Sequence, residues 1–283
     1  RIESEQKAEQ NLNQAGLDAS LATQQAEIAN TLSAWQTALE SWRQAVNKLK
    51  QIPQGTIPYG DARQLLPKYE TELAKVRVQF QKEQAADQFY SEAIRHAATA
   101  RQYELEDQWT LAMLSWRDAV TQMNGVIQGT GRYSDAQNLL KTYGPALTEA
   151  QENLRLTIRF QKAEENFARI CKPAFCKFGM KGSAVHLNLA KDYDALADFS
   201  ITDPNTRTSV PASEQMIREI NQLLQEVINI GKRTQLPIEL YGADGGFIAR
   251  FSPELEWYVK TLLVPSSSPE QPTTTPDSTS DNS

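Results

Sequence analysis

The chain has 283 residues, of which 40% are hydrophobic and 23% charged, so it is long enough for two ordinary domains with a sizeable core. Its net charge of −6 and pI of about 5.2 give no general attraction to phosphate backbones, and nucleic-acid binding is not expected. No stretch approaches the ~18 consecutive apolar residues that a membrane-spanning helix needs.

The chain opens on Arg1 rather than Met and runs directly into a helical pattern, RIESEQKAEQNLNQAG. The expectation is that something precedes it, such as a signal peptide, a membrane anchor or simply an earlier start. A duplication follows. Trp35 aligns with Trp109 at an offset of 74 residues, and the offset holds without a gap through Trp42/Trp116, Gly55/Gly129, Tyr59/Tyr133, Asp61/Asp135, Leu66/Leu140 and Tyr69/Tyr143. Between residues 35 and 69, sixteen of 35 positions are identical in the copy. A single helical hairpin cannot bury its apolar face alone, so repeated units stack and cover one another.

Within each copy the apolar residues recur at helical spacing. Trp35, Ala38, Leu39, Trp42, Ala45, Val46 and Leu49 share one face, as do Trp109, Ala112, Met113, Trp116, Ala119, Val120 and Met123. A turn is expected at Pro53-Gln54-Gly55-Thr56 and again at Gln128-Gly129-Thr130-Gly131. A second helix should start near Asp61 or Asp135, either of which could cap it or favour its dipole. Its face is Ala62, Leu65, Leu66, Tyr69 and Leu73, with Pro67 in the early turns. Tyr59 and Tyr133 fall at the turn, Leu140 and Tyr143 on the copied helix. The paired tryptophans Trp35/Trp42 and Trp109/Trp116 could form a ligand platform, but i, i+7 spacing among alanines reads as hairpin core. A third unit starts at Phe160-Gln161-Lys162-Ala163-Glu164, echoing Phe80-Gln81-Lys82-Glu83, and stops at Cys171.

These units resemble tetratricopeptide-type helical hairpins. Ala38-x3-Trp42-x2-Ala45 followed by Pro53 is similar to the second helix of that repeat. The period is 74 rather than about 34, the turn proline comes later, and the second copy has Ile127 in its place. The W-x2-A…P-x-G-T/S…Y-x2-A-x2-L-L-x2-Y pattern is also similar to helical repeats of exported or membrane-anchored cyanobacterial proteins, over about residues 25–165. The resemblance implies a protein-binding helical array in an exported compartment.

After Lys172 the pattern changes. GSAVHLNLA (182–190) alternates like a strand. The polar stretch DFSITDPNTRTSVPAS reads as a loop. Ser213 caps a strongly amphipathic helix, EQMIREINQLLQEVINIGK, with Gly231 at its end. PIELYG and GFIARF flank Ala243-Asp244-Gly245, a hairpin signal. PELEWYVKTLL reads as a last short helix carrying Trp257. From Pro265 the chain is Ser/Thr/Pro-rich and is expected to be disordered.

Cys171 and Cys176 are the only cysteines, with four residues including Pro173 between them. A small disulfide loop suits the spacing; two free thiols, or a metal or redox pair, are the other readings. The only histidines are His96, in the repeats, and His186, alone on the expected strand. Asp192, Asp194 and Asp198 lack the spacing and glycine of a calcium loop and read as surface. Asp244-Gly245-Gly246 could cradle an anion, but a hairpin turn accounts for it. Ser183 has no nucleophile-elbow context, and no Walker, dinucleotide or H-E-x-x-H motif is present.

The expectation is a mainly α fold: a duplicated helical-hairpin array (1–170), a small α+β domain (171–264) and a disordered tail (265–283). No catalytic, cofactor-binding or metal-ligating residue is expected, and no cofactor. The expected function is a non-enzymatic scaffold or adaptor with protein partners. It would be the soluble portion of an exported or membrane-anchored protein, on the periplasmic or thylakoid-lumen side, with a cytoplasmic location as the alternative. The alternative functions are an enzyme, hydrolase-like or other, with its site near His186, Asp192 and Asp194, or a structural coiled-coil oligomer.

Overall fold

The computed structural model describes residues 1–202 and 213–260. The expected disordered tail, and most of the expected polar loop before Ser213, lie outside the described residues. The chain divides into two compact units, Arg1–Arg155 and the part from Leu156 onward. The division falls ahead of the expected boundary at 170/171, because Phe160, Ala163 and Phe167 pack with the sheet-domain core. Among the described residues, no helix is long and apolar enough to cross a membrane.

The first unit contains α1 (Ile2–Ile28), α2 (Leu32–Lys50), α3 (Tyr59–Leu105), α4 (Trp109–Asn124) and the early part of α5 (Tyr133–Ile170). Thr31 caps α2 by accepting from the Ala34 N–H at 3.2 Å. Asp61 and Asp135 lie in the first turns of α3 and α5, which begin at Tyr59 and Tyr133. They are therefore dipole partners rather than caps. Pro67 sits inside α3, where it removes one backbone donor without ending the helix. The left-handed backbone at Gly55 (φ 87°) and Gly129 (φ 82°) explains the shared Gln-Gly-Thr of the two turns.

The helix α3 serves two bundles in succession. Its first half packs Leu73 and Val76 against α1 (Ala19, Ala22) and α2 (Ala38, Leu39, Trp42, Val46). Its second half packs Ala86, Ala93, Ala97 and Ala100 against α4 (Ala112, Trp116, Met123) and α5 (Ala136, Tyr143, Ala150). At 1.5 Å per residue, the 47-residue α3 is roughly 70 Å long. Small alanines let the helix axes approach while the aromatic residues fill the space between them. The duplication survives in three dimensions: Trp42 meets Tyr69 edge-on at 5.5 Å and Trp116 meets Tyr143 at 5.3 Å. Trp42, Trp116 and Tyr143 are buried. Trp35, Tyr59, Leu66, Tyr69, Tyr133 and Leu140 pack half-buried around them, and Trp109 is half-buried at the start of α4.

Each turn is tied by a carboxylate from the preceding long helix. The Ile57 N–H donates to Glu5 Oε2 at 3.0 Å, and the Gly131 N–H donates to Glu83 Oε2 at 3.0 Å. Glu83 is 3% exposed and its second oxygen accepts from Gln79 Nε2. Glu83→Ala strands the Gly131 donor and is expected to cost about 1–3 kcal/mol, read as a lower midpoint in urea unfolding followed by circular dichroism. Glu83→Gln retains an acceptor and should recover most of the loss; equal loss in both variants would contradict this role.

The second unit holds the end of α5, β1 (Cys176–Lys181), β2 (Ala184–Leu189), α6 (Lys191–Thr202), α7 (Glu214–Thr234), β3 (Ile238–Tyr241), β4 (Phe247–Ser252) and β5 (Trp257–Val259). The strands form one sheet in the order β1-β2-β3-β4-β5. The β2/β3 pair is parallel and the other pairs are antiparallel. One face buries Val185, Leu187, Leu189, Ile238, Leu240, Ala249 and Phe251 against Phe167, Leu196, Ile220, Leu223 and Val227.

Four expectations are corrected here. β1 forms ahead of the expected strand, and α6 runs into the stretch expected to be a loop. The described residues of PELEWYVKTLL, 253–260, form no helix: Glu256 turns the chain at φ 52° and Trp257–Val259 pair with β4. Tyr258 then donates to the Leu224 carbonyl at 2.7 Å and packs on Phe251, contacts that outweigh the local helical pattern. Gly231 does not end α7, which continues to a left-handed Gln235. It lies instead against the Phe251 ring. Ser213 does cap α7, accepting from Met216 N–H at 3.2 Å, and Asp244 Oδ1 accepts from Gly246 N–H at 2.8 Å in the β3–β4 turn.

Candidate functional site

Strand pairing places His186 beside Glu239, and Glu239 beside Arg250, across three strands. Cross-strand partners share a face, and this face is opposite the packed one. His186 Nε2 lies 3.0 Å from Glu239 Oε2, and Arg250 Nη1 lies 3.6 Å from Glu239 Oε1. The Glu239 side chain is 10% exposed, so its charge is held between a cation and an imidazole. Tyr241 donates to Glu239 Oε2 at 2.8 Å and its ring stacks on His186 at 5.0 Å. Phe247 meets Tyr241 edge-on, and Trp257 is half-exposed near the edge of the same face. Lys177 and Lys181, paired with Asn188 and Ala184, add exposed positive charge.

Burial, together with the hydrogen bond to Glu239, pushes the Tyr241 hydroxyl up to about 12. A folded-state value above the unfolded value of about 10 means that its contribution to stability is complete below pH ~10 and is lost as pH rises toward 12. Glu239→Gln removes the nearby charge and is expected to lower this titration. Tyrosinate absorbance, with Tyr241→Phe as the reference, reads the shift; an unchanged midpoint would contradict it.

Asp194 faces the β3–β4 hairpin, where a Cβ at Gly242 would lie 3.3 Å from its Oδ2, while His186 is engaged with Glu239. Asp192 and Asp194 lie in the first turn of α6 and Asp198 farther along it, bound to Lys260 at 2.5 Å. Among the described residues no cluster of three or more His, Cys, Asp or Glu could hold a metal ion.

Cys171 and Cys176 form a disulfide, and both are buried. Beside the loop they close is a cavity of about 430 Å³. The stripe Glu219, Gln222, Leu223 and Glu226 of α7 lines it, spaced by single helical turns. Arg169 and Ile170 at the end of α5, and Lys172, Ala174 and Phe175 from inside the disulfide loop, complete it with Tyr193. Tyr193 donates to Glu219 Oε2 at 2.7 Å and meets Phe175 edge-on at 4.3 Å. Hydrogen bonds from Tyr193 and Gln215, then the charges of Lys172 and Arg218, hold the Glu219 carboxyl below the usual range despite partial burial. A second cavity of about 570 Å³ lies in the helical unit among Asn30, Thr31, Glu83, Asp87 and Arg132. There Arg132 already pairs with Asp87 at 2.8 Å and covers the Tyr90 ring.

The cavity beside the disulfide and the sheet-face ladder were not singled out from sequence. Their residues come from separate elements, and only the polar residues at i, i+3 and i+7 along α7, Glu219, Gln222 and Glu226, signal the cavity. No known protein family, curated protein or solved structure matches this chain.

Proposed function

We propose that the protein is a non-enzymatic interaction adaptor, in which the helical unit supports the α+β unit and the open sheet face binds an acidic segment of a partner protein. The observation that carries this reading is the sheet itself. One face is committed to the core, while the other presents Lys177, Lys181 and Arg250 around a single buried carboxylate, with Tyr241, Phe247 and Trp257 as apolar contacts. Aromatic and arginine side chains amid complementary charge are what interfaces use for affinity and orientation. The disulfide is compatible with an oxidising compartment. The repeat resemblance favours an exported, membrane-anchored setting, on the periplasmic or thylakoid-lumen side.

Lys177→Glu, Lys181→Glu and Trp257→Ala change exposed side chains and should leave the fold intact. Combined in the full chain, they are expected to abolish cross-linked capture of the partner from native extract. Undiminished capture of the same partner would remove the sheet face from this role.

A further inference from the structure

We infer that the cavity beside the Cys171–Cys176 loop binds a zwitterionic ligand one or two amino acids in size, with an apolar side chain. Its charges are sorted by element. The α5 end and the disulfide loop bring Arg169 and Lys172, while α7 brings Glu219 and Glu226. Glu219 accepts from Tyr193 of α6 and from Gln215 and lies within the field of Lys172, and Glu226 lies 4.0 Å from Arg233 of its own helix. Among the described residues no ion pair joins Arg169 or Lys172 to Glu219 or Glu226, so a ligand carboxylate can meet the cations and a ligand ammonium the carboxylates. Ile170, Phe175 and Leu223 supply the apolar lining between them. The cleft of about 430 Å³, with converging charged groups beside an apolar patch, is of the size usual for a small-molecule site. The ligand is net neutral because the lining carries two charges of each sign.

The disulfide belongs to this site. Lys172, Ala174 and Phe175 lie inside the loop it closes, so the bond fixes one wall. A wall ordered before binding avoids the entropy of ordering it on binding.

Titration of the isotope-labelled full chain with the dipeptide leucyl-phenylalanine, followed by amide chemical shifts, tests the inference. Saturable shifts are expected at residues 219–226 and in the disulfide loop. Acetylating the dipeptide's amine or amidating its carboxyl should each weaken binding by about ten-fold or more, the loss of one charge-assisted contact. Glu219→Gln and Arg169→Gln should weaken the free dipeptide likewise, with unchanged β3 and β4 signals reporting an intact fold. Absence of saturable shifts, or equal binding of the blocked dipeptides, would overturn the inference. Reduction of the disulfide should weaken binding while the β3 and β4 signals persist; unaltered binding would remove the disulfide from the site.

Discussion

Trp116→Ala is expected to destabilise the helical unit by about 3–5 kcal/mol, the usual cost of emptying a large aromatic site. Trp116 is 2% exposed. Its ring touches Tyr143 and lies under the Arg101 guanidinium at 5.8 Å, and its Nε1 donates to Glu104 Oε1 at 2.6 Å. Removal therefore opens a cavity and also strands a partly buried carboxylate. Trp116→Phe keeps most of the ring and should cost clearly less. The duplicated position gives an internal control. Trp42 likewise meets Tyr69, edge-on, but the residue equivalent to Glu104 there is Asn30. Trp42→Ala should thus cost less than Trp116→Ala. Urea unfolding followed by circular dichroism measures all three variants. A loss below about 1 kcal/mol for Trp116→Ala would mean that the site collapses freely.

Gly231→Ala is the second large effect, and it acts by adding a single carbon. A Cβ at Gly231 would meet Phe251 Cε1 at 2.2 Å and Cδ1 at 2.3 Å. Phe251 is wholly buried, so its ring has no space to yield without disturbing β4 or α7. Overpacking of this kind costs about 1–3 kcal/mol or more. Phe251→Ala alone should cost about 3–5 kcal/mol. Combined, the two changes relieve one another, because the small side chain at 251 admits the new methyl. The double variant should be no less stable than Phe251→Ala, within about 0.5 kcal/mol. Additive losses would show that the two residues do not compete for the same space.

These two sites also mark how far local sequence reasoning reaches. The hairpin repeat was legible because helical spacing and an unbroken 74-residue offset are visible within short windows. The cap at Ser213 and the Asp-Gly turn were legible for the same reason. What Gly231 does was not legible. A glycine near the end of an amphipathic pattern reads as a stop signal, and only the sheet shows that Phe251 needs the space. β1 and β5 escaped because short edge strands are defined by their neighbours: Trp257–Val259 has no strand pattern of its own and is held by β4 and by Tyr258 reaching the Leu224 carbonyl. α6 was obscured by its polar first turn, although Leu196 and Ala197 reach the core. The carboxylate ties have no local signature, since Glu83 and Gly131 are 48 residues apart. The cavity and the His186–Glu239–Arg250 ladder are likewise products of tertiary assembly.

The most direct test of the proposed adaptor is a comparison of cross-linked capture from native extract by the full chain and by the chain ending at Arg155, the helical unit alone. Circular dichroism would first confirm that the shortened chain remains helical. The account predicts that one partner is captured by the full chain and lost from the helical unit. Capture of that same partner by both would contradict it, placing recognition on the helical repeats rather than on the α+β unit.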